Sequence, residues 1–176
     1  MIRTAPLILR QWEARDRAPF AAMSADAEVM RFLGPVHDRA TADAGVDRAI
    51  AHQAAHGFTF WALERIDDGA FLGFCGLKRF DVAATPITGD VEIAWRLRRD
   101  AWGFGYAAEA ARAALAFGWR LPVARIVAMT VPANSRSQAV MARIGMTRRG
   151  DLDFGHPRLA ADDPLRPHVV YVAGRP

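Results

Sequence analysis

A chain of 176 residues suits one domain and can bury a sizeable core without disulfide staples. Its residues are 52% hydrophobic and 24% charged, ordinary for a soluble globular protein, and the single cysteine, Cys75, excludes an intramolecular disulfide or a cysteine-based metal cluster. The net charge of +4 comes almost wholly from arginine, but the arginines are scattered among acids, so nucleic acid is not the expected partner.

Pro6 to Trp12 alternates apolar and polar residues and reads as a first strand, with no apolar run of a secretory signal. Glu13 to Ser24 reads as a helix with Phe20 and Met23 inward. Asp26 to Leu33 reads as a short helix, capped by Asp26 and ended by Gly34-Pro35. Thr41 to His56 is a third helix, with Thr41 as the expected cap. His52 and His56 have the i, i+4 spacing of a metal pair, but no Glu, Cys or third His stands nearby; rim histidines and no metal are expected. Phe58 to Ile66 and Phe71 to Phe80 read as strands joined at Asp67-Asp68-Gly69. Cys75 falls inside the second of these, where a small buried hydrophobe is the expected role.

Val91 to Leu97 reads as a central strand, with Val91, Ile93, Trp95 and Leu97 alternating with Glu92, Ala94 and Arg96. A turn follows with glycines at 103 and 105, then a helix over 106–119 whose apolar run is broken by Glu109 and Arg112, so it is not expected to span a membrane. Strand, glycine turn and helix N-terminus together offer unpaired N–H groups and a helix dipole to an anion. Gly105 and the small Ala107 let the backbone approach such a ligand. Ala124 to Val131 reads as the next strand, followed by Asn134, Ser137 and a helix carrying Val140, Met141 and Ile144 and stopped by Gly145. A helix crossing over between two strands implies a parallel pair, here added to an antiparallel meander. Thr147 to Phe154 and Pro167 to Val172 read as the last strands, separated by the His156 to Arg166 loop. A loop of that length in a compact domain is expected to carry function.

The two motifs together resemble those of the GNAT superfamily of acetyl-CoA-dependent N-acetyltransferases. Its phosphate motif, Q/R-x-x-G-x-G/A, is matched at residues 102–107 by Trp102-Gly103-Phe104-Gly105-Tyr106-Ala107, with Trp102 where Gln or Arg is usual. Its second motif is matched by Asn134, Ser137, Val140, Arg143, Gly145 and Met146, with Met141 where many members have tyrosine. The opening Leu7-Ile8-Leu9-Arg10-Gln11-Trp12, with Asp16 after it, resembles the start of the ribosomal-protein alanine N-acetyltransferase-like branch.

The resemblance covers nearly the whole chain. It implies one α+β domain over 1–176: a mixed, mostly antiparallel sheet with a parallel pair at the cofactor cleft, flanked by helices. It also implies acetyl-CoA as co-substrate. Trp95, Arg96 and Leu97 would line the pantetheine arm and thioester carbonyl. Gly103, Phe104, Gly105, Tyr106, Ala107 and Ala108 would hold the pyrophosphate, with Asn134 on the pantetheine. The arginine groups 96/98/99 and 143/148/149 flank these motifs and suit a CoA phosphate. Glu92 is the candidate general base, since an attacking amine must lose a proton. Ser137 is the candidate donor to the leaving thiolate, because Met141 cannot donate.

The acceptor mouth is expected at residues about 24–40 and 154–168, where His37, His156 and His168 accompany Asp38, Asp162 and Asp163. Acids there favour a cationic amine: a protein N-terminus, an amino acid, a polyamine or an aminoglycoside. A cytoplasmic monomer or homodimer is expected. Two other readings stay open, a non-catalytic acyl-CoA sensor of the same fold, suggested by Trp102 and Met141, and a nucleic-acid binder, suggested by the basic charge.

Overall fold

The computed structural model describes residues 1–176, and one mixed sheet runs through the chain. Its strands are β1 (Ile2–Arg3), β2 (Leu7–Arg10), β3 (Phe60–Arg65), β4 (Phe71–Arg79), β5 (Val91–Leu97), β6 (Arg125–Thr130), β7 (Thr147–Arg148), β8 (Phe154–Gly155) and β9 (Pro167–Gly174). Their order is β1-β2-β3-β4-β5-β6-β9-β7, with β8 paired to β9. Every pairing is antiparallel except β5 with β6, as an α+β fold with one helical crossover requires. Helices α1 (Arg17–Ser24), α2 (Ala27–Met30), α3 (Arg39–His56), α4 (Tyr106–Gly118) and α5 (Ser135–Arg143) flank the sheet. No helix is long and apolar enough to cross a membrane.

Strand alternation divides the core between the two faces of the sheet. On one face Cys75, Leu77, Val91, Ile93 and Leu97 pack against Ala110, Ala111 and Ala114 of α4, whose small side chains let the helix lie close. The other face carries two smaller clusters. One, under α1 to α3, contains Trp12, Phe20, Met23, Val46 and Phe74. The second contains Phe80, Ile87, Val127 and Val170. Glu92, Ala94 and Arg96 project to this second face and are only half-buried.

The opening Leu-x-Leu-Arg-x-Trp stretch has a structural task. Arg10 is 6% exposed and makes a two-pronged pair with the buried Asp16, at 2.7 and 2.8 Å. Its Nε donates to Glu64 at 2.7 Å, and the Trp12 indole N–H donates to the Phe60 carbonyl at 2.7 Å. These bonds tie the entry of α1 to β3.

Several boundaries differ from expectation, each for a local reason. Asp38, not Thr41, caps α3: its carboxylate accepts the Thr41 N–H at 2.7 Å. β3 starts late because the Phe58 carbonyl faces His52 Nδ1 at 2.8 Å, while the Thr59 hydroxyl donates to the Ala49 carbonyl. His52 Nε2 accepts the Arg79 N–H at 3.3 Å, so Nδ1 is the donor and the ring joins α3 to the sheet. The strand expected over Thr147 to Phe154 is broken into β7, a 3₁₀ turn at Gly150–Leu152, and β8. Asp153 causes the break. Its carboxylate accepts the Val170 N–H at 3.1 Å, in place of a ladder carbonyl, and pairs with Arg148.

Candidate active site

The site begins where the parallel pair comes apart. β5 and β6 are in register only at Val91↔Ile126 and Glu92↔Val127, and β5 then runs on to Leu97 without a neighbour on that side. Arg125 and Asp90 pin the joined end with bonds of 3.0 and 2.8 Å. The direction of the free backbone groups follows from alternation. Asp90 C=O accepts from Phe80 and Arg98 N–H donates to Leu72, so even-numbered residues of β5 turn toward β4. The odd-numbered ones, Ile93, Trp95 and Leu97, turn into the gap. The Trp102 indole N–H meets the Leu97 carbonyl there at 2.9 Å, and Arg136 of α5 lies over the Trp102 ring at 5.0 Å. Trp102 therefore has a fitted place. Arg96, grouped by sequence with Trp95 and Leu97, has its backbone turned to β4; what it adds to the site is its side chain.

Beyond the gap lies the glycine turn. Gly103 and Gly105 have φ of +87° and +81°, a region open to glycine at little cost, and a Cβ on either would meet no atom within 4 Å. Gly105 is the N-cap of α4 and no side chain caps it. The N–H groups from Gly103 through Ala108 donate to nothing in the chain. Gly105, Tyr106 and Ala108 line a cavity of about 390 Å³ together with Arg112, Arg143 and one acid, Glu109. Phe104 is 66% exposed and stacks on Tyr106. The arginine groups behave differently from expectation. Arg98 pairs with Asp100, Arg148 with Asp153 and Arg149 with Asp151, and only Arg143 of these reaches the cavity. Arg112 was missed: it breaks an apolar helix in the sequence, and only the fold brings it beside Arg143, whose carbonyl it bonds at 3.1 Å.

Across the gap, Asn134 caps α5. Its Oδ1 accepts the Ser137 N–H at 3.2 Å and its Nδ2 donates to the Thr130 hydroxyl at 3.0 Å. The Ser137 hydroxyl has no partner in the chain, and the residue is half-buried. Met141 is 1% exposed, held in the main core. Glu92 stands on the second face beside the joined end of the strands. Burial pushes its carboxyl up to about 7, with Lys78 opposing. Cys75 is fully buried on the other face, and burial pushes its thiol up, away from the reactive thiolate.

The second face has two walls. One is the α1–α3 side, where Ser24, His37 and Arg96 meet: the His37 N–H donates to the Ser24 carbonyl, and Arg96 Nη1 stands 3.5 Å from the Ser24 hydroxyl. His37 is held below its usual range by burial first, then by Arg96 and Arg48. The other wall is the end of the chain, where Phe154 stacks on His168 at 5.4 Å and His156 lies 5.4 Å from His168. The 156–166 loop is bonded to itself, through Arg166 to the Leu159 carbonyl and Asp163 to the Leu165 N–H.

The fold that carries this site is shared with known proteins. The family described as "Acetyltransferase (GNAT) domain" matches residues 6–147, and the chain belongs to that family. It is 31% identical to the uncharacterized protein YkkB of Bacillus subtilis over 140 residues, 78% of this chain and 80% of that one. A GNAT-family acetyltransferase from Bacillus anthracis superposes with a TM-score of 0.80 at 22% identity, covering 99% and 98% of the two chains. RimL, a ribosomal L7/L12 alpha-N-protein acetyltransferase solved with coenzyme A, superposes with a TM-score of 0.75 at 14% identity, covering 97% and 95%.

Proposed function

We propose that the whole chain, 1–176, is an acetyl-CoA-dependent N-acetyltransferase that moves an acetyl group onto a primary amine by direct attack. The observation that carries the reading is the uncapped start of α4, with free N–H groups from Gly103 through Ala108 beside Arg112 and Arg143. A pyrophosphate supplies the acceptors those donors lack. The Trp95 and Leu97 N–H groups, turned into the gap, suit the amide and carbonyl groups of a pantetheine arm. Acetyl-CoA supplies the acyl carbon as a thioester, so the nitrogen–carbon bond forms as the carbon–sulfur bond breaks.

Glu92, with a carboxyl near 7, takes the proton from the acceptor amine, directly or through water. A backbone N–H of β5 in the gap stabilises negative charge on the acyl oxygen, a role worth roughly 3 kcal/mol in a dry site. The Ser137 hydroxyl donates to the departing sulfur. The buried Cys75 stays out of the reaction, which favours direct transfer over an acyl-enzyme. The reading includes a cytoplasmic setting, and a place in the ribosomal-protein alanine N-acetyltransferase-like branch for which the support is the opening motif. An amine and peptide panel read by release of free CoA tests it. The burial of Met141 favours one other reading, an acyl-CoA sensor without turnover. Thermal stabilisation by acetyl-CoA, with no CoA released by any amine, decides for that.

A further inference from the structure

Arg96, like Arg112 and Arg143, has no carboxylate partner, and it alone of the three has a buried nitrogen without a hydrogen bond. Arg98, Arg148 and Arg149 each have a carboxylate within the chain. Arg96 has none. Its Nε is buried without a partner, and its only hydrogen bond is the long one to Ser24. The guanidinium lies 5.3 Å over the Phe74 ring, which holds it on the second face. Next to it lies His37, which in turn faces Arg48 and Asp38, and no carboxylate pairs with the Arg96 guanidinium itself. Burial alone pushes the guanidinium down to about 10, which leaves it charged at neutral pH. The residue is half-buried, and the cost of shutting part of an unpaired charge away from water is removed when a ligand brings the counter-charge.

Position gives the ligand's place. Glu92, Ala94 and Arg96 share one strand face, so the acid and the arginine are about 13 Å apart along the backbone at roughly 3.3 Å per residue. Between them Ala94 adds only a methyl group. An acceptor held there by a carboxylate meets the planar, two-pronged donor of Arg96, and where its amine lies close to that carboxylate the proton reaches Glu92 through water.

We propose that the acceptor is an amine that also carries a carboxylate, as a free amino acid does, and that Arg96 binds that carboxylate while the amine lies toward Glu92. The proposal rests on the transferase reading above and deepens it. It narrows the expectation drawn from the acids of the mouth: Asp38 caps α3 and Asp163 holds the turn at Leu165, which leaves the exposed Asp162 as the one of the three without a bond in the chain. A polyamine would place a second positive charge against Arg96.

The test compares free amino acids with their carboxamides, which differ only in the charged group, and includes spermidine. Release of free CoA gives kcat/KM for each. The wild type is expected to prefer the acid of each pair by roughly tenfold or more, since the amide leaves the guanidinium without its counter-charge. Arg96→Gln is expected to bring the ratio near one, chiefly through KM, and Arg96→Lys to restore part of it. Acetyl-CoA affinity by calorimetry is expected to hold in both variants, because the Arg96 main chain faces β4. Equal or better turnover of carboxamides or spermidine by the wild type overturns the proposal and leaves the transferase standing. So does a preference that survives Arg96→Gln in a variant that melts like the wild type. Acetyl-CoA binding with no turnover of any acceptor overturns the transferase reading and this proposal with it.

Discussion

The cofactor cleft is made by two strand-to-helix passages, β5 into α4 and β6 into α5, and they treat their helix ends in opposite ways. α5 is closed by its own sequence: Asn134 accepts the Ser137 N–H and is itself held by Thr130. α4 is left open, with Gly105 as N-cap, no side-chain hydrogen bond to its first turn and free N–H groups back to Gly103. A helix start left without partners is unfavourable on its own. The contrast teaches that the chain closes the helix end that supports the site and leaves open the one that meets the ligand.

The largest expected effect comes from closing the open end. Gly105→Glu puts a Cβ at φ +81°, at about 1 kcal/mol or more, and a negative charge where the phosphates are expected. Acetyl-CoA affinity is expected to fall at least ~100-fold, about 2.7 kcal/mol, in a protein that still folds. Calorimetry with circular dichroism checks this. Unchanged affinity in the folded variant would remove the phosphate from α4.

Next in size is Glu92→Gln, which acts on β5 just before the gap. The turnover of the wild type is expected to rise through a limb near pH 7 as Glu92 ionises, and the variant to lose that limb and about 100-fold in kcat at pH 7. Stability should move the other way. The folded carboxyl is raised by burial from its unfolded value of 4.5 to about 7, so the folded form favours the proton. Glu92's contribution is full below pH 4.5 and is lost as pH rises through about 7, so at pH 8 the Gln variant should melt higher. A flat pH profile in the wild type would assign the proton to another acceptor.

The same contrast shows which parts of the molecule were legible in the sequence. Strand alternation at Val91 to Leu97 located the central strand, and the two glycines located the open helix start, because both signals are local. The cap at Asn134 was legible as a residue but not as a role: the spacing to Ser137 fits a helix cap and a ligand contact equally well. Arg96 and Arg143 were legible as residues beside the two motifs and Arg112 was not, and for all three the role was hidden for another reason. Their meaning depends on which arginines find carboxylates, and that is decided by chain folding at Asp100, Asp151 and Asp153. The break at Asp153 was missed because a side-chain acceptor on Val170 ends a ladder without any change in hydrophobic pattern.

Asn134→Ala tests the closed end. It removes a cap and the bond to Thr130, and about 1 kcal/mol of stability should go with it. Acetyl-CoA affinity should fall by less than about tenfold, because both ends of the Asn134 amide are already engaged within the chain. Thermal melts and calorimetry on one preparation separate the two effects. A larger loss of affinity than of stability would show that α5, too, presents its cap to the ligand.

The smallest effect on stability is expected three residues on, at Ser137, and it separates scaffold from chemistry within α5. The residue takes part in the cap through its N–H, which Ala keeps, so Ser137→Ala should leave stability within about 0.5 kcal/mol of the wild type. What Ala removes is a hydroxyl with no partner in the chain. If that hydroxyl donates to the departing sulfur, its contribution arises only as the carbon–sulfur bond breaks. The loss should then fall on kcat, about tenfold, with KM for the acceptor and the affinity for acetyl-CoA unchanged. Met141 lies in the core and cannot take over the task, so no neighbouring side chain of α5 masks the change. Steady-state kinetics at saturating acceptor reads it directly. An unchanged kcat would give the sulfur's proton to water and leave Ser137 a member of the cap alone.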